Sequence, residues 1–404
     1  MKALLLENIS GVARAAFEKA GFDVETTATA LPEEKLRARI RDVSVLGIRS
    51  KTRVTKNVLE SAPNLLAIGA FCIGVDGIDR AACNQHGVAV FNDPHSNSRS
   101  VAEIALGEII MLVRRVFAAN SEMHGGHWNK TASGCHEVRG LTLGIVGYGR
   151  IGSQLSDLAE AAGMRVIFSD VTDVLARGNA RSCSFREVLE QSDIVTLHVD
   201  GKTRNRNLFG EEEFRLMKPS SYFMNLSRGF VVDHEALARN LKEGKIAGAA
   251  LDVFPDEPES SGAFSSPLQG LPNVILTPHI AGSTEEAQQN IGQFVSSRLA
   301  EYIETGNTML SVNFPHCHLE LVPGSYRLSH IHHNMPGMLL AINKVLAEQS
   351  INIERQVLDT RGDLGYAIYD INRPCDDALI RKLGAIPHTI RFRVAETPRS
   401  LQLA

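Results

Sequence analysis

The chain has no long uninterrupted apolar run. Its most apolar helical stretch, Ile104–Val113, carries Glu108 and falls short of the ~20 residues that span a bilayer. The opening Met1-Lys2-Ala3-Leu4-Leu5-Leu6 ends at Glu7 and Asn8, too soon for the apolar core of a signal peptide, so it reads as a first β-strand. A cytoplasmic location is therefore expected, with no membrane partner. An excess of one charge is also missing. With 42 Lys and Arg against 46 Asp and Glu the net charge is -4, which gives no basis for binding nucleic acid or an anionic membrane. Paired cysteines are absent as well. Cys72, Cys83, Cys135, Cys183, Cys317 and Cys375 are scattered with no Cys-x-x-Cys, which reads as reduced, packing cysteines rather than a disulfide framework. His316-Cys317-His318 and His330-Ile331-His332-His333 do not supply four converging ligands at zinc-like spacing, so no metal is expected. What is present is 44% hydrophobic and 22% charged residue content over 404 residues, the make-up of a soluble globular enzyme of two or three domains.

Strand and helix signals alternate through the first 95 residues: Ala3–Leu6, Val43–Ile48, Leu65–Ile68 and Val88–Phe91 are strand-like, and Val12–Ala20 is helical. Ser100-Val101-Ala102-Glu103 has the form of a capping box opening a long helix to about Ala119, and Ser283-Thr284-Glu285-Glu286 the form of a second. Two capped helices bracketing the middle of the chain imply an inserted domain. The expected organisation is a discontinuous first domain (1–96 and 285–315), an inserted domain (97–284) and a C-terminal domain (326–404).

The inserted segment reads strand (Leu143–Val146), glycine loop, helix (Ile151–Ala162), strand (Arg165–Ser169), then Asp170. Gly147-Tyr148-Gly149-Arg150-Ile151-Gly152 in that context is a dinucleotide fingerprint. Its first two glycines allow a tight turn and close approach of a pyrophosphate, and the third allows helix–strand packing. The pyrophosphate then meets the free amides of a helix N-terminus. A carboxylate at Asp170 would bind a ribose 2′-hydroxyl and repel a 2′-phosphate, which selects NAD over NADP.

Three chemistry-bearing residues each follow a strand-like run: Arg228 after Ser221–Leu226, Asp252 after Ala247–Leu251 and His279 after Asn273–Thr277. In an open parallel sheet that edge is where ligands bind. Removing a hydroxyl proton as a hydride leaves suits a histidine, so His279 is the candidate base. Glu257 could orient it and raise its pKa. Arg228 could hold a planar carboxylate with two hydrogen bonds, pointing to a 2-hydroxy or 2-oxo acid. Asp252 could position the nicotinamide or cap a loop. His198 also ends a strand-like run, so position alone does not make a histidine catalytic.

Gly144-Ile145-Val146-Gly147-Tyr148-Gly149, Met224-Asn225-Leu226-Ser227-Arg228-Gly229, Ala250-Leu251-Asp252-Val253-Phe254 and Leu276-Thr277-Pro278-His279-Ile280 together resemble the D-isomer-specific 2-hydroxyacid dehydrogenases. Ile48-Arg49-Ser50-Lys51-Thr52, Phe71-Cys72-Ile73-Gly74, Ser96-Asn97-Ser98-Arg99-Ser100 and Trp128-Asn129-Lys130 narrow the likeness to short bacterial members that oxidise 3-phosphoglycerate. The resemblance implies an α/β fold, with a Rossmann-like NAD domain inserted in a flavodoxin-like substrate domain. It implies Arg228 on the substrate carboxylate, His279 as acid/base and Glu257 as its partner. For the cofactor it implies Gly147, Gly149, Arg150, Ile151, Gly152 and Asp170 at the adenosine and pyrophosphate, and Leu226, Ser227, Asp252, Ile280, Ala281 and Gly282 toward the nicotinamide. Arg49, Ser50, Lys51, Asn97 and Lys130 would contact the substrate, the cations facing its phosphate.

After residue 326 the order strand, helix, strand, strand, helix, strand resembles an ACT domain, a ferredoxin-like βαββαβ sensor of amino acids. By that resemblance His332, Asn334 and Asn352 would bind L-serine between paired copies, giving feedback inhibition in a homotetramer, although Met335 stands where close relatives often carry arginine. Two other functions fit part of the pattern. One is reduction of another 2-oxo acid such as 2-oxoglutarate, and the other is a non-enzymatic NAD sensor, against which an intact Arg228, Glu257 and His279 argue.

Overall fold

The computed structural model describes residues 1–258, 262–322 and 324–395. Contacts divide them into two compact units: Met1–Pro94 with the described residues from Gln288 onward, and His95–Ala287. The chain thus leaves the first unit once and returns to it.

The first unit is built on a parallel sheet of β1 (Lys2–Leu5), β2 (Asp23–Thr26), β3 (Val45–Ile48), β4 (Ala67–Ala70) and β5 (Ala89–Asn92), in the flavodoxin-like order β2-β1-β3-β4-β5. Both faces of β1, β3, β4 and β5 are covered, which is why their residues read as unbroken apolar runs. The edge strand β2, Asp-Val-Glu-Thr, is half exposed and carries no such run, so its sequence does not announce a strand.

The second unit holds a seven-stranded parallel sheet. Its strands are β6 (Thr142–Val146), β7 (Arg165–Ser169), β8 (Arg181–Ser182), β9 (Ile194–Leu197), β10 (Ser221–Asn225), β11 (Ile246–Leu251) and β12 (Val274–Leu276), in the order β12-β11-β10-β9-β6-β7-β8. The order reverses between β6 and β9, the switch point at which doubly wound sheets bind nucleotides. The helix Ser98–Val113 packs on the helix Arg150–Ala161 and on β11.

Three expectations about these helices are corrected. The box at Ser100–Glu103 is not formed, because the helix starts at Ser98. Ser100 Oγ lies 3.0 Å from Thr284 Oγ1, and Glu103 accepts from Arg99 Nε at 2.6 Å. Nor does the helix run on to Ala119: Arg115 takes φ 54, a left-handed turn, and a separate helix Val116–His124 follows. At the second box the cap is Thr284, one residue later than expected, accepting from the Ala287 amide at 3.2 Å before the helix Glu285–Thr305.

The C-terminal sheet is antiparallel. It comprises β13 (Tyr326–His333), β14 (Ile353–Arg361), β15 (Leu364–Ile371) and β16 (Thr389–Val394), in the order β14-β15-β13-β16. Every residue of β15 is buried, and its side chains alternate between two cores. Ala367, Tyr369 and Ile371 pack with Ile342, Leu346, Leu379 and Leu383 of the helices Met338–Glu348 and Asp377–Gly384. Tyr366 and Ile368 instead join Phe91, Leu299, Tyr302 and Phe314 in the core of the first parallel sheet. Polar contacts follow the same route: Tyr366 donates to Gly306 O at 2.6 Å, and Arg391 donates to the carbonyls of Leu65 and Pro63.

Candidate active site

The glycine loop leaves β6 with Gly147 at φ 93. A Cβ there would stand 2.5 Å from the His198 carbonyl oxygen, and a Cβ at Gly152 would run into Gly147 O. Gly149 is different, since nothing lies within 4 Å of where its Cβ would be. It precedes the helix Arg150–Ala161, whose first amides have no side-chain cap. Open space, an uncapped helix N-terminus and exposed Arg150 beside half-buried Ile151 fit a diphosphate. At the end of β7, Asp170 accepts from the Tyr148 amide at 2.8 Å and from the Thr172 amide and hydroxyl at 3.0 and 2.9 Å. The carboxylate is thereby fixed beside the loop, with lone pairs to spare for ribose hydroxyls.

Arg228, Asp252 and His279 all stand just past the carboxyl ends of β10, β11 and β12. Asn225, fully buried at the end of β10, shapes the first turn. Its Oδ1 accepts from the Ser227 amide and hydroxyl at 3.0 and 2.7 Å, and its Nδ2 donates to Arg228 O at 3.0 Å. Leu226 and Ser227 are buried in that turn. Gly229 admits no Cβ, which would collide with the Phe254 carbonyl. That close approach brings the Arg228 turn against the loop after β11, which carries Glu257.

His279 Nδ1 is 2.7 Å from Glu257 Oε2, while Glu257 Oε1 accepts from the Phe254 amide at 3.0 Å. The bond to Glu257 raises the His279 pKa above its ordinary value against the opposing effect of burial. Burial pushes the Glu257 carboxyl up, but the bond to His279, the Phe254 amide and the charges of His279 and Arg228 bring it below the usual range. His279 sits at φ 55, a left-handed conformation that a non-glycine residue holds only when its surroundings impose it. Asp252 grips the turn on both sides of His279. Only 1% exposed, it accepts from Thr277 Oγ1 at 2.6 Å and from the Ile280 and Ala281 amides at 2.8 Å each. Of its two expected uses, loop capping is therefore visible directly. Gly282, next along, leaves room for the Asn97 amide group, whose buried Oδ1 has no hydrogen-bond partner.

The remaining candidate residues lie elsewhere. Arg49, Ser50 and Lys51 follow β3 in the first unit, where Glu7 gathers their turn. Glu7 is at φ 61 and accepts from the amides of Arg49, Lys51 and Thr52 at 3.2, 3.0 and 2.8 Å. Lys130 is exposed in the loop after the helix Val116–His124. In the C-terminal sheet His332 is 2% exposed, with Nδ1 3.2 Å from His330 Nδ1, and Asn334 donates to Gly362 O. Asn352 does not meet them. His332 is level with Gly365 of β15 while Ile353 is level with Ile371, six residues away, or about 20 Å along the strand.

Residues that sequence reasoning passed over are Glu7, Asn225, Thr277 and Gly229. All act through partners that the fold brings near, and Asn225, Gly229 and Thr277, inside matched motifs, left a trace where Glu7 did not.

The chain matches the model of the D-isomer specific 2-hydroxyacid dehydrogenase NAD binding domain over residues 106–281. It is 48% identical over 396 residues to a D-3-phosphoglycerate dehydrogenase of Dictyostelium discoideum, covering 98% of this chain and 97% of that one. The D-3-phosphoglycerate dehydrogenase of Escherichia coli K12 is 46% identical over 399 residues, at 98% and 97% coverage. Among solved structures, D-2-hydroxyisocaproate dehydrogenase superposes with a TM-score of 0.69 at 27% identity, covering 78% of this chain and all of that one (100%). The D-lactate dehydrogenase of Aquifex aeolicus, solved with NAD and lactic acid, gives a TM-score of 0.67 at 27% identity, with 78% and 99% coverage. The chain belongs to the D-isomer specific 2-hydroxyacid dehydrogenase family. It is an NAD-dependent oxidoreductase whose second unit contains the family's NAD-binding domain.

Proposed function

We propose that the chain oxidises 3-phosphoglycerate to 3-phosphooxypyruvate with NAD, the first step of L-serine biosynthesis. The observation that carries this reading is the His279–Glu257 pair, joined at 2.7 Å, with the Arg228 charge acting on both. The end-to-end likeness to proteins named D-3-phosphoglycerate dehydrogenase supports the choice of substrate.

Arg228 binds the substrate carboxylate and fixes the secondary alcohol. His279 takes the hydroxyl proton through Nε2, while Glu257 on Nδ1 holds the ring orientation and stabilises the imidazolium that forms. NAD, when bound, accepts the hydride. Gly147, Gly149, Arg150, Ile151 and Gly152 hold its pyrophosphate, Asp170 its ribose, and Leu226, Ser227, Asp252, Ile280, Ala281 and Gly282 shape the nicotinamide end. Arg49, Ser50 and Lys51, on the turn that Glu7 organises, take the substrate phosphate with Asn97 and Lys130.

The C-terminal sheet is read as an ACT domain sensing L-serine. Because Asn352 lies at the opposite end of the sheet from His332 and Asn334, a site using all three needs two copies, in keeping with a homotetramer. The enzyme is placed in the cytoplasm, and no helix among the described residues is long and apolar enough to cross a membrane.

The test is NADH oxidation with 3-phosphooxypyruvate and with 2-oxoglutarate side by side, each with and without L-serine. Preferential turnover of the phosphorylated substrate, suppressed by serine, is expected. Preference for 2-oxoglutarate would overturn the substrate, and turnover indifferent to serine would remove the sensor.

A further inference from the structure

The buried face of the helix Ser98–Val113 is apolar from Val101 to Val113 except at one point. Glu108, 3% exposed, lies among Ala105, Ile109 and Leu112, and its Oε2 is buried without a hydrogen-bond partner. The helix packs on β11 and β12, and past the end of β11 stands Asp252, the carboxylate that grips the His279 turn. Two buried acids that feel each other cannot both ionise cheaply, and one keeps a proton. Their surroundings decide which. Burial pushes Asp252 up as well, but its three hydrogen bonds and the His279 charge favour its charged form, whereas Glu108 Oε2 receives no hydrogen bond.

We propose that Glu108 and Asp252 form a buried carboxyl pair holding a single proton, carried by Glu108, and that Glu108 is thereby a positioning residue for His279. A neutral Glu108 lets Asp252 stay ionised and clamp Ile280 and Ala281. Losing that proton sets a second negative charge beside Asp252 and weakens the clamp. Burial first, and the Asp252 charge second, push Glu108 up to about 8. The charged groups of the elements around it are Arg99 and Glu103 on its own helix, Glu122 and His124 on the helix Val116–His124, Arg150, Asp157 and Glu160 on the helix Arg150–Ala161, and His279 after β12. None of these contributes to that shift. The pairing itself does not depend on His279 being the base; the consequence for activity does.

Infrared spectroscopy of the full-length protein with carbon-13-labelled glutamate reads the proton without any reaction. A carboxylic-acid C=O stretch present at neutral pH should vanish near pH 8, be missing from Glu108→Gln, and disappear at lower pH in Asp252→Asn, where the neighbouring charge is gone. Glutamine imitates the protonated acid, so Glu108→Gln should work at neutral pH and keep working to a higher pH than the wild type. No acid band at neutral pH, or a band that Asp252→Asn leaves unmoved, overturns the pair. A normal band with an unmoved alkaline limit of activity overturns the positioning role. If instead His279→Ala retained activity while the band behaved as described, the reading of the base would fail and the carboxyl pair would stand.

Discussion

Asp252, just past the end of β11, and Asp370, within β15, are both buried carboxylates, and they are satisfied in opposite ways. Asp370, fully buried in β15, takes Arg327 through two bonds of 2.7 and 2.8 Å and Arg355 through a third of 2.8 Å. Arg327 then reaches on to the carbonyls of Thr305, Leu319 and Glu320, tying the C-terminal sheet to the chain that leads into it. Among the described residues no cation is bonded to Asp252. Its donors are a hydroxyl and two amides of one turn, and its charge helps to raise the pKa of a second buried acid, Glu108. A carboxylate matched by guanidinium groups anchors two segments and asks nothing more of them. One matched only by neutral donors holds a loop in a conformation it would not choose, and its charge remains available to shape a site. The same residue type therefore serves attachment in one sheet and presentation in the other.

The sharpest way to break the comparison is to remove what each acid serves. His279→Ala should cut turnover by about 10²–10⁴-fold, the usual worth of a general base, while NADH titration and thermal unfolding stay close to wild type. Turnover that survives would move the base elsewhere and leave Asp252 clamping an idle turn. Arg327→Ala should act in the other sense. It strips Asp370 of its bidentate partner and three carbonyls of their donor, and should cost on the order of 3 kcal/mol in urea unfolding, since losing one partner of a buried pair leaves charge uncompensated. Stability that does not change would mean that Arg355 alone satisfies Asp370 and that the sheet is anchored by its apolar face.

Much of the fold and of the site is legible in the amino-acid sequence. The parallel strands announce themselves because both faces are covered, so β3 reads as Val45-Leu46-Gly47-Ile48 and β10 as Ser221-Tyr222-Phe223-Met224-Asn225. Chemistry-bearing residues that follow such runs then fall on one edge, which is how Arg228, Asp252 and His279 can be read together. What stays hidden depends on distant partners. A capping box is a local pattern, yet Ser100 and Glu103 find better partners in Thr284 and Arg99. Glu7, at the end of an apolar strand, reads as a stop signal rather than as the acceptor for three amides more than forty residues away. Glu108 reads as the charge that disqualifies a membrane helix, and only the fold brings it within reach of the Asp252 charge.

The smallest expected effect is the most discriminating. In the oxidation direction His279 must be neutral to take a proton, so activity should rise with pH through the His279 pKa. That pKa is raised chiefly by the bond to Glu257. Glu257→Gln keeps a group of the same shape but removes the charge, so the His279 pKa falls and the acid limb of kcat/KM should move to lower pH. Glu108→Gln should leave that limb alone and move the alkaline one upward, because there the proton being lost is its own. Two isosteric substitutions at two carboxyls of one site thus shift opposite limbs in opposite directions. An acid limb that stays put in Glu257→Gln would mean that His279 is not the group titrating there, however well its geometry suits the role.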